Sequence, residues 1–346
     1  MADPSDPALA ALLRPFDEHL LERGPALFLR ARPHPDLRLW RGLQATQPSR
    51  PAADALRGVG VEVIDEAAAA GTFPLVLLLP PRQRDEARAL MAQGLHHVAP
   101  GGRLVVAAPN DAGAKAVEAD LRALCGPVSV LSKHKCRVAW TAPLDDPRAL
   151  PLQAPWAGLD AVRSVVSADV PGGSFLTRPG VFAWDRVDAA SRLLAAHLPA
   201  DLSGRAADLG AGWGYLSMSL LARCPGIAAL DVFEADARAL DLARANLAGA
   251  RVPVGFHWHD VAAGVDGAFD VIACNPPFHG LERGERLDLG RAFIASAARA
   301  LAPRGQLWMV ANRHLPYEQA LADAFARADT VAQQGGFKVV RAERSR

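Results

Sequence analysis

Two stretches, one in each half of this 346-residue chain, carry the same run of residue types. Phe73-Pro-Leu-Val-Leu-Leu-Leu-Pro-Pro81 aligns with Phe269-Asp-Val-Ile-Ala-Cys-Asn-Pro-Pro277. Each is an apolar run of strand length stopped by two prolines, which cannot continue a sheet ladder. Further on, His97–Asn110 aligns with Ala300–Arg313 through a shared Ala-Pro-x-Gly turn, and Lys133–Trp140 echoes Gly336–Arg341. Matching corners and turns in matching order predict one α/β unit used twice. The chain is long enough for two domains of ordinary size. Pro143, Pro147, Pro151, Pro155 and Gly158 punctuate the middle. They mark residues 146–170 as a linker between units at 1–145 and 171–346.

The second unit carries the chemistry. Residues 205–214 read Arg-Ala-Ala-Asp-Leu-Gly-Ala-Gly-Trp-Gly, and a helix is predicted over Tyr215–Ala222 from the spacing of Leu216, Leu220 and Leu221. A strand therefore ends near Asp208 and turns into a helix through Gly210, Gly212 and Gly214. Glycines permit the sharp turn and let a ligand approach the peptide plane. The spacing is Gly-x-Gly-x-Gly, which is not the dinucleotide fingerprint. Asp208 before the loop suits a cationic amine better than a pyrophosphate. Ala229–Glu234 reads as a second strand ending in an acid. At that distance from the loop, an acid can accept hydrogen bonds from ribose hydroxyls. A helix follows over Ala235–Ala248. Val252–Trp258 is a third strand, after which Asp260 and Val261 could face an adenine amine. Phe269–Cys274 is the fourth.

That fourth strand delivers Asn275-Pro276-Pro277-Phe278. Asn275 precedes a proline and is pushed toward extended backbone. The corner holds an amide, a carbonyl and an aromatic face in fixed relation, a set that suits a planar amine. The Asn275 oxygen and the Pro276 carbonyl can each accept one amine proton, and Phe278 can stack on the base that carries it. An Asp at position 275 would keep an acceptor of similar shape but add a charge beside the site, so partial activity above that of an Ala is expected there. The first unit lacks these groups: Leu79 stands where Asn275 does, Arg82 where Phe278 does, and no glycine loop precedes Phe73.

The ordered series over residues 205–278 resembles the class I S-adenosylmethionine-dependent methyltransferases. The flanks narrow this: Phe175-Leu-Thr-Arg-Pro-Gly-Val-Phe182, then Asp188 and Leu193-Leu194, then His279 and the helix Arg291–Leu301, then Gly305–Tyr317 and Gly336–Arg341. Over residues 170–343 the chain resembles the bacterial ribosomal RNA guanine-N2 methyltransferases of the RsmC/RlmG type. It has Ala183-Trp184 where a small polar residue is expected after Val-Phe. The resemblance implies two tandem Rossmann-like domains, each a seven-stranded mixed sheet with flanking helices, the first degenerate. It implies S-adenosylmethionine as cofactor, held by Asp208, Gly210, Gly212, Gly214, Glu234, Asp260, Val261, Phe182 and Asp188. Asn275, Pro276, Pro277 and Phe278 would act on the substrate amine, and His279, Arg313 and His314 would contact RNA. The implied partner is ribosomal RNA or a ribosomal subunit, with no membrane and no metal. Two alternatives share the residues: methylation of a protein glutamine or DNA base amine, and a non-catalytic RNA-binding assembly protein.

Composition narrows the setting more than the activity. Met1–Pro15 holds acids and prolines rather than a basic-then-apolar leader, and the longest apolar run, Phe73–Pro81, is far too short to span a bilayer. Cys125, Cys136, Cys224 and Cys274 show no metal-ligand spacing. The expected setting is a reducing cytoplasm. Net charge is only +1, so RNA affinity must come from local patches. Candidates are Arg23, Arg30, Arg32, Arg38 and Arg41, the cluster Lys133, Lys135 and Arg137, and Arg283, Arg286, Arg313 and His314 near the site.

Overall fold

Two seven-stranded sheets, one in each half of the chain, share one strand order. The computed structural model describes residues 6–66, 69–277 and 283–345, the side chains of 283–286 excepted. The chain divides into two units, Met1–Ala161 and Val162–Arg346. The first sheet contains β1 (Ala26–Leu29), β2 (Leu43–Thr46), β3 (Glu62–Ile64), β4 (Phe73–Leu78), β5 (Val98–Pro109), β6 (Val128–Lys133) and β7 (Cys136–Thr141), in the order 3-2-1-4-5-7-6. Its helices are α1 (Pro7–Asp17), α2 (Arg50–Gly58), α3 (Arg84–Gly94), α4 (Ala114–Cys125) and α5 (Gln153–Ala157).

In the second unit a hairpin of β8 (Arg163–Val166) and β9 (Ser174–Thr177) precedes the sheet. The sheet strands are β10 (Ser203–Leu209), β11 (Gly226–Glu234), β12 (Val254–Trp258), β13 (Phe269–Cys274), β14 (Leu301–Asn312), β15 (Arg327–Gln334) and β16 (Phe337–Glu343). Their order, β12-β11-β10-β13-β14-β16-β15, repeats that of the first sheet. β10 to β14 pair in parallel, while β16 lies antiparallel between β14 and β15 and is the one reversed strand of the sheet. The helices are α6 (Ala189–His197), α7 (Tyr215–Arg223), α8 (Ala237–Asn246), α9 (Arg283–Ala300) and α10 (Glu318–Ala324). The helix expected over Arg291–Leu301 thus begins eight residues earlier and yields Leu301 to β14.

The central strands of each sheet are buried on both faces, which is why they read as apolar runs rather than as an alternation. Successive residues point to opposite faces. Ala206, Val232 and Val271 enter one core cluster, while Ala207, Phe233 and Ile272 enter the other. Likewise Phe28, Leu75 and Leu77 separate from Leu27, Val76 and Leu78. The repeat extends to irregularities. The β4–β5 register shifts between Phe73 and Leu75, and the β13–β14 register shifts between Phe269 and Val271. Both terminal hairpins close through two residues with positive φ: His134 and Lys135 at 52° and 58° in the first unit, Gly335 and Gly336 at 58° and 86° in the second.

The first unit differs at the turn after its central strand. Arg30 has φ 54°, in the place where Gly210 follows β10 with φ 77°. Ala31 N donates to Thr46 O at 3.1 Å, as Ala211 N donates to Phe233 O at 3.1 Å. The Arg30 guanidinium pairs with Glu86 at 2.8 Å and with Glu66 at 3.4 Å, and the Glu86 side chain is 3 % exposed.

Residues 146–170 are not a linker in the structure. Gln153 is buried, with its side chain donating to Ala92 O, and Leu150, Leu152 and Trp156 pack on the first core. Arg88 lies over the Trp156 ring at 4.8 Å. The prolines signal loops correctly, but the apolar residues between them bind the segment through residue 161 to the first unit. Residues 163–166 pair with β9 in the second. The division falls at Ala161/Val162 rather than across 146–170.

Candidate active site

The predicted cofactor residues gather where β10, β11 and β12 end, at the carboxyl edge of the sheet, where ligands of open α/β sheets bind. Gly210, Gly212 and Gly214 all have positive φ, at 77°, 58° and 96°. A side chain at Gly212 would meet nothing within 4 Å, so backbone conformation rather than space demands glycine there. Gly212 N donates to Glu234 Oε2 at 2.7 Å, and Glu234 Oε1 accepts from Asp236 N at 2.8 Å. The acid at the tip of β11 thus pins the loop to its neighbour strand. Burial raises the Glu234 pKa despite these backbone donors.

Asp208 lies beneath the loop, fully buried. Its Oδ2 accepts from Ser217 Oγ at 2.7 Å, whereas Oδ1 has no partner among the described residues. Burial pushes its pKa up to about 7. The Ser217 hydrogen bonds oppose that rise, and the charge of Glu234 adds to it. Burial, with Asp208 beside it, raises the Cys274 thiol well above its usual value, so this cysteine is a core residue and not a nucleophile.

Asp260 follows β12 and caps a short helical turn, Oδ1 accepting from Ala262 N at 2.9 Å. Val261 is buried beneath it, its carbonyl accepting from Ser296 Oγ at 2.6 Å. His259 N donates to Glu234 O at 3.0 Å, which brings this turn beside the β11 acid.

A small cleft is lined by Phe182, Asp188, Ser191, Gly210, Gly212 and Asn275, among others. Phe182 is 47 % exposed at this cleft. The unexpected Ala183 has φ 51°, and its carbonyl accepts from Trp213 Nε1 at 3.3 Å. Trp213 stacks on Phe175 at 3.9 Å between centroids. Asn246 ties the loop to β9, accepting from Leu176 N at 2.7 Å and donating to Trp213 O at 2.9 Å.

Asn275 lies at the end of β13. Its Nδ2 donates to Asp188 Oδ2 at 3.0 Å and to Ser191 Oγ at 2.8 Å, and its buried Oδ1 has no partner among the described residues. Pro276 is buried and Pro277 exposed, while Phe278 and His279 lie outside the described residues. Arg313 and His314 are exposed just after β14, and neither lines the cleft. A larger cavity, about 560 Å³, opens where β10 and β13 begin, lined by Ser203, Asp270, Arg304 and Arg341 among others. It holds none of the predicted residues. Ser191, Trp213 and Asn246 were not singled out from sequence. The Asp-x-x-Ser spacing before an apolar run signals a helix start at Asp188, but not that the serine reaches Asn275.

These features suit the expected cofactor. The glycine turn gives ligand access, Asp208 holds an unpartnered buried oxygen, and acids close the two neighbouring strands. Sheet order, loop and acids together define a class I methyltransferase. A family model described as "Methyltransferase small domain" matches residues 172–341. The ribosomal RNA small subunit methyltransferase C of Salmonella choleraesuis is 31 % identical over 262 residues, 75 % of this chain and 73 % of that one. That of Shewanella amazonensis is 29 % identical over 268 residues, 77 % and 76 % of the two chains. The structure of the T. thermophilus 16S rRNA guanine-N2 methyltransferase (RsmC), solved with AdoMet and guanosine, superposes with a TM-score of 0.81 at 26 % identity. That match covers 98 % of this chain and 92 % of the other. The chain belongs to the ribosomal RNA small subunit methyltransferase C family.

Proposed function

We propose that this chain transfers the methyl group of S-adenosylmethionine to the exocyclic N2 amine of a guanine in ribosomal RNA. The observation that carries the reading is the Asn275 amide: its Oδ1 is buried and unpartnered among the described residues, in the same cleft as the glycine loop. Family membership supports the same substrate class. When bound, the cofactor supplies an electrophilic sulfonium methyl, so the protein mainly has to hold and orient the two reactants. Asp208, the loop from Gly210 to Gly214, Glu234, Asp260 and Val261 would hold it, with Phe182 at the cleft mouth.

Asn275 Oδ1 accepts one proton of the target amine and the Pro276 carbonyl the other. Two acceptors draw the nitrogen lone pair out of conjugation and toward the methyl group. The N–C bond forms as the S–C bond breaks. The methylated nitrogen is acidic and gives its proton to solvent, so no strong base is required. The amine must be unpaired, which calls for a single-stranded or extruded guanine. Phe278 would stack on it. His279, Arg313 and His314, and in the first unit Lys133 and Lys135, are candidates for RNA phosphates. The substrate is ribosomal RNA or a ribosomal subunit, met in the cytoplasm.

The test is methyl transfer from labelled cofactor to ribosomal RNA and subunits of a strain lacking this protein. N2-methylguanosine is expected on nucleoside mapping. Label on a protein glutamine, on DNA, or on another nucleoside would overturn the reading.

A further inference from the structure

The Asn275 amide is held from another element. Asp188 is the N-cap of α6 and Ser191 its third residue, and Asp188 Oδ2 accepts from Ser191 N at 2.8 Å while also accepting from Asn275 Nδ2 at 3.0 Å. Ser191 adds its Oγ to the same nitrogen at 2.8 Å. Ser191 is 7 % exposed, and Leu193 and Leu194, which follow it, are buried in the core. The start of α6 is therefore fixed, and its two acceptors with it.

A carboxylate can only accept hydrogen bonds. It selects one of the two orientations of the amide, with Nδ2 toward Asp188 and Oδ1 turned away from it. We infer that Asp188 and Ser191 are positioning residues that set the Asn275 carbonyl oxygen to face the target amine. A flipped amide would present N–H donors to an amine that is itself a donor, and the acceptor on which the reaction depends would be gone. The resemblance assigned Asp188 to the cofactor. Here its Oδ2 serves the substrate side through Asn275. The inference rests on the amine-methylation reading above.

The two roles separate experimentally. Asp188→Ala, Asp188→Asn and Ser191→Ala would be made in the full chain, alone and together with Asn275→Ala. Each would be assayed for S-adenosylmethionine affinity by calorimetry and for single-turnover methyl transfer to ribosomal RNA. Asp188→Ala and Ser191→Ala should slow transfer by about tenfold or more while cofactor affinity changes by less than about twofold. Asp188→Asn keeps an acceptor oxygen for both donors and should restore most of the rate. Residues that act through Asn275 have nothing left to do once it is gone, so neither substitution should slow the Asn275→Ala enzyme further. Asp188→Ala also removes the cap of α6; Ser191→Ala leaves that cap intact and tests the inference without this loss. A drop in cofactor affinity with Asp188→Ala, additive rate losses in the Asn275→Ala background, or unchanged rates in both single variants would overturn the positioning role while leaving the methyltransferase reading intact. A wild-type chain that methylates no guanine would overturn both.

Discussion

Asn275 has its amide nitrogen satisfied twice and its oxygen not at all among the described residues. Asn275→Ala should lower the single-turnover rate on the order of a hundredfold, the usual loss for one preorganised contact, with cofactor affinity unchanged. A wild-type rate would reduce the corner to a turn. Asn275→Asp, attractive from shape alone, meets the Asp188 carboxylate about where Nδ2 sat, 3.0 Å away. Two acceptors without a proton between them repel, so this variant should fall below Asn275→Ala near neutral pH and recover as the pH drops. Asp208 offers a second test. Its pKa rises from 3.8 to about 7 on burial. The folded state then binds more protons than the unfolded state between those values, and stability falls as pH rises through that window. Asp208→Asn cannot ionise. Its melting temperature should match the wild type near pH 4 and exceed it near pH 8, and an equal offset at both would refute the shift. The glycine loop and the Asn-Pro-Pro corner were legible in the sequence because each is contiguous and its residue types are dictated by backbone geometry. Ser191 was not, since it meets Asn275 across 84 residues of chain and nothing local to either residue encodes the meeting.

The hairpin of β6 and β7 shows how an element keeps its geometry while its residues change. A two-residue turn of this kind wants positive φ at both positions, the natural place for glycine. The second unit has Gly335-Gly336, whereas the first holds His134-Lys135 in the same geometry, exposed beside Lys133. Left-handed backbone costs a non-glycine residue roughly 1 kcal/mol. Replacing both residues with glycine should therefore raise the melting temperature. If the tip meets RNA, Lys133→Ala should also reduce the salt slope of RNA affinity by about one; an unchanged slope removes it from the interface. The strands of this unit were readable from their apolar runs and corners. The α5 segment was not, because prolines at every fourth residue hide the packing of Leu150, Leu152 and Trp156.

Across the whole molecule, one architecture serves two units with different needs. Fragment Val162–Arg346 should bind S-adenosylmethionine and melt higher in its presence, with about 2.7 kcal/mol of added stability at a hundred times the Kd. Fragment Met1–Ala161 should show no shift, and any shift there would end the view of that unit as degenerate. Duplication was legible from the order of corners and turns, while the division between units was not. What the first unit has in place of a glycine turn is Arg30, its guanidinium held between Glu86 and Glu66. Arg30→Ala would break this buried ion pair and should lower the melting temperature of the first unit. With Arg30 paired at that turn, the first unit should keep its shape whatever the metabolite supply, whereas the second is expected to lean on a molecule the cell must keep making. Starvation for the methyl donor would then loosen only the half of the protein that spends it.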